Sequence, residues 1–264
     1  MSTKDIPSGL DGYNPRYVAF LDLLGFKALV ERAEREPAEQ ERLMEVLRLL
    51  RDTLCQAPAI SMQFTYFSDC ILISVERSAA GLWQMLYSID ILTCNLLQFD
   101  VLARGGLAAG GAFHTEEFVF GTSVNHATEL EKQARWPLTL LSSEVLEDAK
   151  TYGQLFLDLL STDTLGRPFV HYLSSYTSYR RQPVWPGKVV MEPAGDRVIY
   201  FVCRRLERDE GTVLEKAQWF QAYWNQSVAP HGVFSAIEIG ASPSVPTGPP
   251  TIIMRRLVAP PPRR

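Results

Sequence analysis

The sequence predicts an α+β fold with a ferredoxin-like βαββαβ core and an extra strand and helices on its C-terminal side. Three observations indicate this class. A strand-like apolar run at 17–22 is followed by two helical segments. The β-rich runs 63–67 and 70–75 flank the pair Ser68-Asp69, which is a hairpin signal. Strands and helices then alternate to residue 174.

Helical patterns separate the strands of the N-terminal half. Gly25 is expected to open a helix that runs to about Arg35, and Pro37 suits the first position of the next helix. Leucines at three- and four-residue steps predict an apolar stripe on this second helix (Leu43, Leu47, Leu50 and Leu54). Residues 79–98 suit a buried helix around Trp83, Leu86, Ile89 and Leu92.

The second half of the core opens with a glycine-rich strand. Residues 103–113 contain four glycines, which favour a strand with close backbone approaches or a bulge over a helix. A helix is expected at 121–134, with Thr122 or Ser123 as its cap. Strands are expected at 138–143 and 166–174, with a helix that starts at Ser143 between them.

The chain divides into four regions by composition and pattern. We expect a flexible lead-in at 1–14, a core at 15–175, an extension packed on the core at 176–240, and a mobile Pro-rich tail at 241–264. In the extension, Val198, Val202 and Leu206 favour a helix, although 199–202 could also be a strand. Residues 213–226 predict an amphipathic helix, and 236–240 could form a strand.

Composition narrows the classes of partner. The chain has 46% hydrophobic and 21% charged residues and a net charge of −4, so it shows no electrostatic sign of nucleic-acid binding. The four cysteines form no CxxC pair, which favours reduced thiols and a cytoplasmic location. The first residues lack an apolar segment and no run of 18 apolar residues occurs, so neither a signal peptide nor a spanning helix is expected.

Asp22 is an acid in an otherwise apolar strand. Burial of an unpaired carboxylate is costly, so Asp22 should cap the next helix, pair with a base or bind a cation. Asp69 occupies the predicted hairpin turn, where turn chemistry alone could explain an Asp. In a βαββ unit the first strand lies beside the hairpin, so both carboxylates could converge. Mg²⁺ suits such a pair and points towards nucleotide phosphoryl chemistry.

Four segments resemble, in order, motifs of the class III nucleotidyl cyclases. The first metal-binding segment of those enzymes is similar to YVAFLDLLGFKAL (17–29), and the hairpin with their second metal-binding Asp is similar to TYFSDCILIS (65–74). Their Arg-x-Gly strand is similar to ARGGLAAGGAF (103–113). Their helix with a transition-state Asn is similar to FGTSVNHATELEKQA (120–134).

A narrower resemblance joins these motifs to the strand GRPFVHYL (166–173) and the helix EKAQWFQAYWN (215–225). The combination is similar to the bacterial pyrimidine cyclases of Pycsar anti-phage defence, which make cUMP or cCMP as an alarm signal. This resemblance implies cyclisation of UTP, or less favourably CTP, with release of pyrophosphate. It also implies a homodimer with sites at the interface and a separate effector protein that reads the product.

The resemblance implies roles for individual residues. Asp22 and Asp69 would hold two Mg²⁺ or Mn²⁺ ions, and the Leu23 carbonyl would be a backbone ligand. Asn125 would orient the ribose, and Arg104 could supply positive charge in the transition state. The triphosphate would bind the backbone N–H groups of a turn at a helix N-terminus, with added charge from a lysine (Leu24, Gly25, Phe26 and Lys27).

The sequence departs from the purine cyclases at three positions. Thr65 stands where they carry an adenine-reading Lys, and Phe118, or a neighbour, stands where they carry its Asp partner. A smaller base against an aromatic wall would be compatible with both changes. Glu129 replaces their transition-state Arg, a charge that Arg104 or Arg135 could supply, although either arginine could equally be structural.

Other functions remain open at the level of sequence. A CTP or ATP cyclase is the nearest alternative. A catalytically inactive, cyclase-like nucleotide-binding module is the second, because Glu129 replaces the arginine. A structural α+β domain with coincidental motifs is the third. The four histidines show no spacing typical of zinc ligands, and the glycines at 105–111 do not form a phosphate-binding loop.

Overall fold

The computed structural model describes residues 12–55, 62–177, 192–241, 243–246 and 250. Within these residues eight strands form one mixed sheet. The strands are β1 (Asn14–Leu24), β2 (Gln63–Phe67), β3 (Cys70–Glu76), β4 (Leu102–His114), β5 (Val119–Gly121), β6 (Thr139–Leu141), β7 (Leu160–Thr162) and β8 (Pro168–Val170). The predicted α+β class is confirmed.

Helices lie between these strands and after them. They are α1 (Phe26–Ala33), α2 (Pro37–Cys55), α3 (Ala79–Leu97), α4 (Thr122–Gln133), α5 (Ser143–Tyr152), α6 (Gln154–Leu157), α7 (Ser174–Thr177), α8 (Glu192–Arg208) and α9 (Gly211–Ser227). A short 3₁₀ turn at Ala229–His231 follows α9. Among the helices of the described ranges, none combines the length and the apolar character that a membrane crossing requires.

The strand order across the sheet is β2-β3-β1-β4-β6-β8-β7, and β5 pairs with β4 beside this row. β1 lies in the middle, antiparallel to both β3 and β4, while β4 and β6 run parallel. β2 and β3 form the expected hairpin. The first strand and the hairpin are therefore adjacent, as the βαββ pattern predicted.

Side chains of β1 alternate between the two faces of the sheet. One face packs Tyr17, Leu21 and Leu23 into an apolar cluster with residues of α1, α2 and α3. The opposite face packs Val18 into a second cluster with residues of α4, α8 and α9. Asp22 is an even number of residues from Val18, so its side chain belongs to this second face.

Two glycines of β4 permit close contacts on its opposite sides, as the sequence predicted. A Cβ at Gly106 would overlap the Ala127 carbonyl and the Leu130 side chain of α4. A Cβ at Gly105 would overlap Leu21 and the Phe20 carbonyl of β1. The absence of side chains therefore lets α4 lie directly on the sheet face that carries Asp22.

Several local expectations proved wrong. The buried stripe of α2 runs through Val46 and Leu49 beside Leu50, while Leu47 is 37% exposed; Leu54 lies outside the described side chains. Neither Thr122 nor Ser123 caps α4. Gly121 holds the cap position without a side-chain bond, and both hydroxyls donate to the Gly111 carbonyl instead.

The C-terminal half also differs from the expectation in detail. The predicted strand 166–174 is only β8, because the chain turns after Val170 into α7. β5, β7 and α6 were not expected. Residues 236–240 form no strand, because the amide groups of Asn225 and Gln221 bind the Ile237 backbone where a neighbouring strand would pair.

The remaining expectations for this half have mixed outcomes. The helical alternative for 198–206 is confirmed by α8. The division into domains stays a prediction. Its lead-in before residue 12 and most of its Pro-rich tail lie outside the described residues.

Candidate active site

Asp22 and Asp69 meet where β1 passes the β2–β3 turn. Asp22 pairs in register with Cys70, and the backbone N–H of Leu23 donates to the Asp69 carbonyl at 2.8 Å. One ligand atom each from Asp22, Asp69 and Cys70 lies within 4.8 Å of the other two. The convergence expected from the strand pattern is therefore present, although the roles of these residues stay predictions.

Arg104 joins the Asp22 carboxylate to a second acid. Asp22 pairs with Arg104 in the β1–β4 register, and Arg104 Nε lies 3.1 Å from Asp22 Oδ2. The same Nε lies 2.7 Å from Glu131 Oε1 on α4. Burial raises the pKa of Glu131, Arg104 opposes that rise, and Asp22 adds to it. Arg104 thus forms ion pairs with two carboxylates.

Cys70 belongs to the cluster by position, but its thiol is a poor ligand in the neutral form. Burial and the neighbouring Asp69 raise the pKa of Cys70 to about 11, so the group stays protonated at neutral pH. Hard cations such as Mg²⁺ select oxygen ligands, whereas thiolates select softer metals. The donor set therefore fits Mg²⁺ or Mn²⁺ on the carboxylates of Asp22 and Asp69.

The expected phosphate-binding turn follows β1 directly. Gly25 has φ of +83°, a left-handed conformation that favours glycine, and it precedes α1 with no side-chain cap. The cap residue therefore offers no side-chain acceptor to the N–H groups at the N-terminus of α1. Phe26 is buried in the core and anchors the turn, while Leu24 is half-buried. Lys27 is 89% exposed and reaches Glu31 only at 3.9 Å.

Thr65 lies in a different hydrogen-bond network. Its Oγ1 is 3.0 Å from His114 Nε2, and His114 Nδ1 is 2.8 Å from Ser74 Oγ. Arg16 donates to the same Ser74 oxygen at 2.9 Å. Burial and Arg16 lower the pKa of His114 to about 4. His114 ends β4, yet its ring contacts side chains of β2 and β3, which lie on the other side of β1.

The other expected residues lie on the surface. Phe118 is 61% exposed in the β4–β5 turn, and Asn125 and Glu129 are exposed one helical turn apart on α4. Across the described part of the chain, no hydrogen bond or ion pair joins these three to Asp22 or Asp69. Arg135 pairs with Glu215 at 2.8 Å and lies over the Trp136 ring.

Sequence reasoning missed three residues near the candidate site. Glu131 had a usable signal, because it is an acid on the apolar face of α4 between Ala127 and Ala134. Lys216 of α9 is half-buried, and its pKa is lowered by burial and by Arg104 and raised by Asp22. His114 had no local signal, because its partners are 40 and 49 residues away.

No protein-family model matches the chain, and no curated protein matches it. Among solved structures, the chain is similar to a bacterial light-regulated adenylyl cyclase, with 16% identity, a TM-score of 0.40, and coverage of 51% of this chain and 45% of that one. The chain thus spans less than half of that structure.

Two further solved structures match a larger share of this chain and of their own length. A bacterial light-regulated adenylyl cyclase matches with 15% identity, a TM-score of 0.42, and coverage of 62% of this chain and 94% of that one. The catalytic core of a rhodopsin-guanylyl cyclase with converted specificity, in complex with ATPαS, matches with 13% identity, a TM-score of 0.42, and coverage of 60% and 95%. At these identities the likeness concerns the fold alone.

Proposed function

We propose that this protein cyclises a pyrimidine nucleoside triphosphate, preferably UTP, to the 3′,5′-cyclic monophosphate and pyrophosphate. The observation that carries the proposal is the meeting of the Asp22 and Asp69 carboxylates beside the left-handed turn at Gly25. Carboxylates next to an uncapped helix N-terminus are suited to a cation-bound triphosphate. We propose that cUMP serves as a second messenger in bacterial anti-phage defence, in the cytoplasm, where a separate effector protein reads it.

Different residues of the cluster would bind the metal ions and the phosphate oxygens. Asp22, Asp69 and the Leu23 carbonyl would hold two Mg²⁺ or Mn²⁺ ions. The ions, when bound, would acidify the ribose 3′-hydroxyl and neutralise the triphosphate. The turn at 24–26 would bind phosphate oxygens through its N–H groups, and Lys27 is exposed enough to reach the same oxygens.

Arg104 is placed to organise the carboxylates. Its ion pairs with Asp22 and Glu131 fix the Asp22 side chain before a nucleotide arrives. A cation bound to Asp22 would reduce that attraction, and Glu131 would still hold Arg104 beside the site. Arg104 would then contribute positive charge next to the reacting phosphate, which is the role left open by Glu129.

A second copy of the chain would complete the site. Asn125 is exposed on α4, and no contact joins it to the aspartates within the described residues. An exposed Asn is available to a neighbouring subunit. We therefore propose a homodimer in which Asn125 of one subunit orients the ribose bound at Asp22 and Asp69 of the other.

The base preference rests on Thr65, Phe118 and the resemblance of the motifs. Neither residue offers the charged partners that a purine-reading site needs, and Phe118 presents an exposed ring. A pyrimidine ring is smaller and leaves space for an aromatic wall. The choice of UTP over CTP comes from the resemblance.

The direct test is incubation of the purified protein with each of the four ribonucleoside triphosphates plus Mn²⁺, followed by mass identification of the products. The expected product is cUMP, with smaller amounts of cCMP. The Asp22→Asn protein is the matched control, because it keeps the shape of the side chain and loses its charge. Predominant cAMP or cGMP would overturn the pyrimidine assignment, and cyclic product from the control would overturn the role of Asp22.

A nucleotide-binding module without turnover is the second candidate. Glu129 favours it, because it places an exposed negative charge where the cyclase motif has an arginine. In that case the protein would bind UTP with Mn²⁺ and release it unchanged. Equilibrium binding measured beside the product assay separates the two candidates.

A further inference from the structure

A chain of hydrogen bonds crosses the sheet face and ends at Thr65. Arg16 Nε donates to Ser74 Oγ at 2.9 Å, Ser74 Oγ lies 2.8 Å from His114 Nδ1, and His114 Nε2 lies 3.0 Å from Thr65 Oγ1. Ser74 is fully buried, and Arg16 and His114 are 8% and 5% exposed. The chain thus runs from the interior to a half-buried hydroxyl.

The buried end of the chain fixes the direction of its hydrogen bonds. A guanidinium only donates, so Ser74 Oγ accepts from Arg16. The hydroxyl hydrogen of Ser74 then needs an acceptor, because an unmet buried donor is costly. In the part of the chain that the structure describes, His114 Nδ1 is the acceptor within hydrogen-bond distance of that hydroxyl. His114 Nδ1 therefore carries no hydrogen.

The remaining hydrogen of His114 lies on Nε2. Burial and the charge of Arg16 lower the pKa of His114 to about 4, so the ring is neutral at pH 7 and carries one hydrogen. His114 Nε2–H donates to Thr65 Oγ1. One of the two lone pairs of the Thr65 oxygen is then occupied, which leaves one lone pair and the O–H hydrogen for a group that binds next to β2. Hydrogen bonds in a chain polarise one another, so a hydroxyl that accepts from His114 becomes a stronger donor and a weaker acceptor.

We propose that this chain of bonds makes Thr65 a stronger hydrogen-bond donor than acceptor and that Thr65 thereby selects uracil over cytosine. The inference rests on the proposed function, in which Thr65 faces the base. Uracil carries a carbonyl oxygen at position 4, which accepts the Thr65 hydrogen. Cytosine carries an amino group there, which is itself a donor and can use only the remaining, weakened lone pair of the Thr65 oxygen.

The first test reads the tautomer of His114 directly. Long-range ¹H–¹⁵N correlation spectra of the histidine-labelled protein at pH 7 separate the neutral Nε2–H form, the neutral Nδ1–H form and the charged ring. The His114→Gln protein assigns the signal among the four histidines. The neutral Nε2–H form is expected. A neutral Nδ1–H form or a charged ring would overturn the inference.

The second test measures base selection as a product ratio. Equimolar UTP and CTP compete for the same protein with Mn²⁺, and the ratio of cUMP to cCMP gives the ratio of the two kcat/KM values. This ratio does not depend on how much of a variant is folded. We expect a ratio of about tenfold in favour of cUMP, the size of one hydrogen bond.

Three variants locate the source of the ratio. Thr65→Val keeps the shape and removes the hydroxyl, so the ratio should approach one, whereas Thr65→Ser should preserve it. The paired change His114→Phe with Ser74→Ala removes the donor to Thr65. It also removes the Ser74 hydroxyl, which would otherwise be left without its His114 acceptor. This variant should lower the ratio severalfold. An unchanged ratio in Thr65→Val or in the paired variant would overturn the inference.

Failure of the inference and failure of the proposed function give different results. A protein that makes cCMP in preference to cUMP is still a pyrimidine cyclase, but the inference falls together with the preference for UTP. A protein that makes no cyclic nucleotide from any triphosphate contradicts the proposed function, and the inference falls with it even if the His114 tautomer is as expected.

Discussion

The backbone N–H of Leu23 donates to the carbonyl oxygen of Asp69, with 2.8 Å between the two atoms. This bond joins the end of β1 to the β2–β3 turn. It depends on no side chain, so replacement of either carboxylate should leave the two backbones in place. Changes at Asp22 and Asp69 therefore test charge rather than fold.

Asp22→Asn and Asp69→Asn should both abolish cyclisation but differ in their effect on stability. Asp69→Asn removes one of two neighbouring negative charges, so the metal-free protein should keep or gain stability. Asp22→Asn removes the partner of Arg104 at 3.1 Å and should lose about 1 kcal/mol. Urea unfolding without divalent ions measures both effects.

Mn²⁺ should raise the melting temperature of the unsubstituted protein, because a ligand that binds only the folded state stabilises it. Both variants should lose most of this rise. A variant that keeps its activity with either Asp neutralised would contradict the two-metal assignment. Loss of folding in both would favour a purely structural role for the pair.

Glu131→Gln should weaken binding of Mn²⁺ severalfold while the fold is kept. Glu131 shares Arg104 with Asp22, and a neutral amide would leave the guanidinium to Asp22 alone. A cation would then compete with a stronger ion pair. Titration calorimetry with Mn²⁺ measures the change, and Glu147→Gln on the exposed surface of α5 is the control. Equal affinity in both variants would show that Arg104 does not compete with the metal.

Asp22→Asn and Asn125→Ala proteins should complement each other. Each should be inactive alone if every site takes its metals from one subunit and its Asn from the other. A mixed dimer would have one site with both defects and one site with neither, so mixing should restore up to about a quarter of the activity for random exchange. Native mass spectrometry verifies subunit exchange. Exchange without recovery would indicate a complete site within each chain.

Gly106→Ala should cost about 3 kcal/mol of unfolding free energy, because its Cβ would overlap the backbone of α4 at Ala127. Gly110→Ala on the same strand is the matched control. Its Cβ would lie 3.0 Å from the movable Thr122 hydroxyl, and the cost should be about 1 kcal/mol. Urea unfolding measures both values. Equal losses of unfolding free energy would contradict the close packing of α4 against β4.

His114 should make the folded state sensitive to acid. Its pKa is about 4 when folded and about 6.5 when unfolded, so below pH 6.5 only the unfolded chain takes up the proton. Stability present above pH 6.5 is therefore lost as the pH falls towards 4, by about 3 kcal/mol in total. Urea unfolding of the unsubstituted and His114→Gln proteins between pH 7 and pH 4.5 isolates this contribution.

The difference between the two proteins should shrink as the pH falls. His171, whose pKa burial also lowers to about 4, is present in both proteins and cancels in the comparison. A difference that does not change with pH would show that His114 titrates normally in the folded state.

The sequence predicted the features that arise from local patterns. The hairpin at Ser68-Asp69 and the first position of α2 at Pro37 follow from turn and helix chemistry within a few residues. The meeting of Asp22 with Asp69 followed from one further step, the placement of the first strand beside the hairpin. Each of these needed only neighbours in sequence or one rule of topology.

Features that depend on distant partners could not be predicted in this way. The contact between Thr65 and His114 had no signal in the sequence, because the two residues are 49 positions apart. The stripe of α2 was assigned to Leu47 rather than Val46, because spacing alone does not say which side faces the core. The strand expected at 236–240 does not form, because side chains of α9 make hydrogen bonds to the backbone of Ile237.

The central position of β1 has a consequence for how the protein is made. Asp22 finds Arg104 82 residues further along the chain, and β1 pairs on one side with β3 and on the other with β4. Contacts of such separation form late and slow the folding of a domain. During synthesis, β1 must therefore wait without its second neighbour until β4 has left the ribosome, and a chain arrested before residue 102 would expose an apolar strand edge open to aggregation.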